Sequence, residues 1–169
     1  KTQYIGSANG ETLTCVVRSD APVKTFDEAR KMPVVLGVAG GTTRDMPTML
    51  NNLLGTKFKL VSGYRGTRNV NLAIEKGEVQ GICGMGWTSI QKQKADWFKP
   101  GGFARVLVQE ALVAHPGISK LGAPLSLNYA KDNETREIMQ MIYQQTVFTR
   151  PFMMAPQVPK ERVEIVRAA

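Results

Sequence analysis

The chain has 169 residues, 43% of them apolar and 21% charged, which is enough for one globular domain with a buried core and argues against disorder. Its 22 basic and 14 acidic residues leave a formal net charge of +8, which favours anionic partners without choosing among nucleic acid, acidic membrane and small carboxylates. The longest apolar stretch, Met32 to Ala39, falls far short of the ~20 residues that cross a bilayer, so no membrane span is expected. Lys1 in place of an initiator Met, with no signal peptide before it, and an end at Ala169 inside an amphipathic segment, read as a piece of something longer.

Cys15 and Cys83 fit one disulfide in an oxidising compartment or two buried thiols, and arithmetic leaves both open. Zinc wants about four ligands at local spacing, whereas this chain offers two distant cysteines and the single His115. No metal site is expected.

In chain order, Leu13 to Val17 reads as a strand, closed by the turn-rich Arg18 to Pro22. Thr25-Phe26-Asp27-Glu28 fits a capping box, so the spacing predicts a helix over Phe26 to Lys31. Val34 to Ala39 is a continuous apolar run, the pattern of a strand covered on both faces. Gly40-Gly41-Thr42-Thr43 follows, then a helix with Met46, Leu50, Leu53 and Leu54 on one stripe. Pro47 belongs in the first turn of that helix, which places its start between Thr43 and Met46, and Gly55 ends it. Phe58 to Val61 is the next strand, Asn69 to Lys76 the next helix, and Val79 to Met85 the next strand. Such alternation predicts an α/β layer with a ligand crevice outside the carboxyl ends of its strands. Ala104 to Gln109 is a further strand. Asn133 to Thr146 reads as an amphipathic helix through Ile138, Met141 and Ile142, and a last helix near Pro159 is expected to bury Val163 and Val166.

Three turns converge on that crevice. Gly40 to Thr43 combines free backbone N–H groups, a helix dipole and hydroxyl donors suited to an anion; equally, the glycines simply turn the chain and a Thr caps the helix. The loop lacks the Gly-Lys-Thr/Ser of a Walker A motif and does not match GxGxxG, so nucleotide binding is weakly supported. Gly63 to Asn69 carries Arg65 and Arg68, whose guanidinium groups suit a carboxylate, or form a solvated basic turn. Gly84 to Ser89 brings Trp87, either a cleft wall or core. Trp97, Phe98 and Phe103 are assigned to packing. His115 has no partner at motif spacing, and neither GxSxG, HExxH nor paired carboxylates occur, so nothing points to an enzyme. Basic residues are dispersed and do not interleave with aromatics, which makes nucleic acid the lesser partner.

Pro22 to Asp27, Leu54 to Tyr64, Asn71 to Val79, Arg150-Pro151-Phe152 and Ala155 to Pro159 together resemble the substrate-binding receptors of tripartite tricarboxylate transporters, a family of bacterial periplasmic solute-binding proteins. The resemblance runs over essentially the whole chain and rests on the order and spacing of these segments. It implies an α/β, class II periplasmic-binding fold: residues 1–18 ending lobe 1 with the first inter-lobe strand, 19–103 forming a three-layer lobe 2, and 104–169 returning through a second inter-lobe strand to an incomplete lobe 1. It implies ligand contacts from Gly41, Thr42 and Thr43, from Tyr64, Gly66, Thr67 and Arg68, and from Gly84 and Met85, with Trp87 as a wall. Arg68 stands where family members more often carry small or amide residues and would favour a second carboxylate. The implied role is non-catalytic and without cofactor: a di- or tricarboxylate is held and presented to membrane subunits of the transporter. A ligand-sensing module of a signalling system, with no transport role, is the nearest alternative. A homodimer is a further expectation, since a partial lobe would leave apolar surface uncovered.

Overall fold

A computed structural model describes residues 2–7, 10–147, 149 and 151–168. Arg150, part of one segment that carries the resemblance, lies outside the described residues. Its centre is a five-stranded sheet made of β2 (Leu13–Arg18), β3 (Val34–Gly37), β4 (Phe58–Val61), β5 (Gly81–Gly86) and β6 (Ala104–Glu110). These lie in the order β4-β3-β5-β2-β6. The first three are parallel, while β2 runs antiparallel to both β5 and β6. A smaller ribbon pairs β1 (Gln3–Ser7) with β7 (Pro151–Met154), which the sequence pattern did not suggest because neither segment alternates or carries a hairpin turn.

Helices α2 (Thr42–Leu54) and α3 (Thr67–Lys76) make the crossovers β3-α2-β4 and β4-α3-β5, and α4 (Trp87–Lys94) leaves β5 directly. The remaining helices are α1 (Phe26–Ala29), α5 (Pro116–Ser119), α6 (Asn133–Gln144) and α7 (Lys160–Ala168). Among the described residues no helix is long and apolar enough to cross a membrane.

Strand β2 shows why the apolar runs are continuous. Leu13, Cys15 and Val17 pack into one core cluster with Leu36, Leu50, Leu54 and Met139, while Val16 packs into the other with Ile74, Ile82, Ile90 and Val106. Successive side chains point to opposite faces of a strand, so a sheet with a core on each side buries successive positions, and the one polar side chain among them, Thr14, donates its hydroxyl to the Met85 carbonyl at 3.0 Å. Cys15 and Cys83 sit on neighbouring strands and are joined as a disulfide, resolving the two alternatives left by composition.

Most helix boundaries follow local chemistry. The Thr25 hydroxyl accepts the Glu28 N–H at 3.2 Å, as a capping box requires, but the Glu28 carboxylate takes the N–H of Lys24 rather than that of Thr25. The helix ends at Ala29, two residues earlier than expected. Gly55 closes α2 in the left-handed region at φ 71°, as anticipated.

Two buried faces differ from expectation. Helix α6 buries Met139 and Tyr143, not Ile138, Met141 and Ile142: Met141 is 64% exposed, and Ile138 and Ile142 are half-buried flanks. The i, i+4 pair of Met139 and Tyr143 faces the turn around Leu127, where the Tyr143 hydroxyl meets Ser126 Oγ at 2.7 Å. In α7 only Val163 is buried; Val166 is exposed, because this helix packs chiefly on the narrow β1 strand.

Candidate functional site

The parallel strands β3, β4 and β5 end on the same side of the sheet, and each delivers the chain to a helix start: Thr42, Thr67 and Trp87. Between these ends lies an open cleft of about 380 Å³, lined by Glu11, Leu13, Thr42, Thr43, Thr67, Gly84, Met85, Gly86, Ser89, Gln93 and Thr149. Its size suits a small molecule.

The cleft floor is fixed by β5. Gly84 adopts φ +69°, and a Cβ there would stand 2.0 Å from the Thr42 carbonyl oxygen, so only glycine lets the start of α2 approach β5 this closely. Thr42 Oγ1 donates to the Gly84 carbonyl at 2.8 Å, and the Gly84 N–H donates to Glu110 Oε2 at 2.8 Å. Glu110 is fully buried, and its Oε1 has no hydrogen-bond partner among the described residues. Burial pushes its carboxyl up to about 8, against the opposing pull of the Gly84 N–H. The Tyr143 hydroxyl is raised as well, by burial first and then by the charge of Glu110.

At α2 the hydroxyls do not face the cleft as free donors. Thr43 Oγ1 donates to the Gly40 carbonyl at 2.8 Å and accepts the Ala39 N–H at 2.9 Å, while Thr42 Oγ1 is committed to Gly84. The expectation that both hydroxyls hold an anion is thereby revised: short side chains beside a tight Gly-Gly turn find backbone partners first. What α2 offers an anion is backbone. Arg44 and Asp45 donate to the Gly41 carbonyl, so the preceding N–H groups of Thr42 and Thr43 have no acceptor within the helix, and no side chain caps it. Helix α3 repeats the arrangement: Asn69 and Val70 donate to Gly66, leaving the N–H groups of Thr67 and Arg68 without a helical acceptor and without a side-chain cap.

The expected site residues divide accordingly. Thr42, Thr43, Thr67, Gly84 and Met85 line one cleft, and Gly41 and Gly66 are the caps preceding two of its helices. Arg68 lines a neighbouring hollow of about 410 Å³ with Asn71, Leu72, Glu75, Gln93 and Lys94, so the two spaces share Gln93. Tyr64 lies half-buried across the end of β3. Trp87 is 4% exposed and packs against Phe98 in a tilted arrangement at 5.0 Å between centroids, which makes it core rather than cleft wall. Trp97 and Phe103 pack together as assigned. His115 accepts the Gly117 N–H through Nδ1, capping α5. Glu11 and Gln93 also line the cleft but have no motif around them in the sequence, and Ser89 entered only as the end of the Gly84 turn.

No cluster of three or more potential metal-ligating side chains occurs among the described residues. No family model matches the chain, and no curated protein matches it in sequence.

Sheet order, crossovers and a cleft at the strand ends define a partial α/β lobe of the periplasmic-binding-protein fold, and solved structures bear this out. The chain is similar to a TctC solute binding protein from Polaromonas, without ligand, at TM-score 0.59 and 14% identity, covering 99% of this chain and 67% of that one. It is similar to MatC from Rhodopseudomonas palustris with bound malate at TM-score 0.63 and 15% identity, covering 99% of this chain and 53% of MatC. Against the periplasmic binding protein BugD the TM-score is 0.62 at 19% identity, with 98% of this chain and 52% of BugD covered. The chain thus spans about half the length of MatC and BugD.

Proposed function

We propose that this chain is part of an extracytoplasmic, periplasmic solute-binding receptor of the tripartite tricarboxylate transporter kind. It holds a small organic carboxylate, of the di- or tricarboxylate class, between two lobes and delivers it to membrane subunits without chemical change. The observation that carries the reading is the pair of uncapped helix starts, α2 and α3, whose Thr42, Thr43 and Thr67 line one cleft and whose first N–H groups have no helical acceptor, on a fold shared with a malate-bound protein. In this reading lobe 2 spans residues 19–103, and β2 and β6 are the strands that connect the lobes. One carboxylate rests on the N–H groups of Thr42 and Thr43, with Thr67 beside it, and Arg68 orients the far end from the adjoining hollow. Lobe closure then creates the surface that the membrane subunits recognise.

The test is ligand-dependent stabilisation of the full-length natural protein across dicarboxylates, tricarboxylates, aromatic acids and amino acids. A ligand at about 100 times its dissociation constant adds roughly 2.7 kcal/mol, a shift of several degrees. No shift with any anion would remove the carboxylate reading.

A further inference from the structure

The third helix start differs from the other two. Both leading N–H groups of α4 are already taken: Trp87 donates to the Thr12 carbonyl at 2.9 Å and Thr88 to Glu11 Oε1 at 3.1 Å. The Glu11 backbone is anchored in turn by its own N–H, which donates to the Thr146 carbonyl at 3.1 Å. Its carboxylate lies against Gly86, where a Cβ would come within 2.7–3.0 Å of the Glu11 carboxyl group. Among the described residues no lysine or arginine forms an ion pair with it, although the chain carries a net charge of +8. The cleft therefore offers backbone donors at the starts of α2 and α3, while the start of α4 is already occupied by the Glu11 carboxylate that lines the same space.

We infer that Glu11 is a specificity-determining residue, and that the cleft takes a carboxylate carrying a hydrogen-bond donor on the neighbouring carbon, an ammonium before a hydroxyl. This rests on the carboxylate reading above and narrows it. The ligand carboxylate sits on α2 and α3, and the donor meets the Glu11 oxygen not used by Thr88. An acid whose second carboxylate must lie at that wall meets like charge in a partly desolvated site, which is strongly disfavoured.

Aspartate, malate and succinate share one carbon skeleton and differ only in an ammonium, a hydroxyl or a hydrogen. Calorimetric titration of the full-length protein is expected to rank them aspartate, malate, succinate, with roughly tenfold or more between the first and last. Glu11→Gln removes the charge and is expected to bring the three within about threefold, mainly by losing aspartate affinity. Gly86→Ala keeps the charge but forces the flexible carboxylate aside, and is expected to compress the ranking in the same way. Binding with succinate first, or a ranking untouched by both variants, would overturn the role of Glu11 and leave the carboxylate reading standing. Failure of every acid to bind the wild-type protein would overturn both.

Discussion

Two buried residues, Glu110 and Gly84, hold the cleft floor and have measurable signatures. Glu110 has its carboxyl raised from 4.5 to about 8. An acid raised by folding keeps its proton in the native state after the unfolded chain has lost it. Its contribution is therefore most favourable below pH 4.5 and declines as pH rises toward about 8, beyond which both states are ionised and the slope vanishes. Denaturant titrations between pH 4 and 9 are expected to show this decline, and Glu110→Gln, which stays neutral, to flatten it; an unaltered pH profile in the variant would assign the slope elsewhere. Gly84→Ala is expected to cost roughly 3 kcal/mol or more, since the positive φ and the Thr42 carbonyl both oppose a side chain. Chemical denaturation measures it, and a loss below about 0.5 kcal/mol would mean that α2 can retreat freely.

At the level of elements, legibility followed how local the determining physics was. Strand β4 matches its expected span, because a glycine turn follows it and the Gly55 helix stop precedes it. The βαβαβ alternation, and with it the cleft at the strand ends, could be read from apolar runs and turn residues. The faces of α6 and α7 could not. Met139 and Tyr143 are chosen over Ile138 and Met141 by what the helix meets, and Tyr143 does not count as apolar in a stripe although its ring is fully buried. The ribbon of β1 and β7 joins segments about 150 residues apart, which no local pattern encodes. At the site, backbone donors were foreseeable from the Gly-rich turns, whereas the diversion of the Thr42 and Thr43 hydroxyls and the placement of Glu11 depended on tertiary neighbours. The disulfide between β2 and β5 closes a loop spanning 68 residues of sequence separation. Replacing both cysteines by alanine is expected to lower stability by about 2–4 kcal/mol, read from the shift in denaturation midpoint. Thiol titration of the unreduced, denatured protein is expected to find no free thiol among Cys15 and Cys83.

Across the whole molecule, β2 is the second described strand in the chain but lies between β5 and β6 in the sheet. The parallel unit from β3 to β5 can assemble from near neighbours, whereas β2 has no partner until residues 81–86 and 104–110 are available. While the polypeptide is being made, Leu13 to Val17 therefore waits as an apolar strand with both edges open and a reduced thiol at Cys15. Such a segment invites capture by a holding chaperone or pairing with another chain. A nascent chain halted before residue 81 is thus expected to be far more prone to associate than one released after residue 110, and the stretches separating β2 (Leu13–Arg18) from β5 (Gly81–Gly86) and β6 (Ala104–Glu110) set the interval over which the cell must guard it.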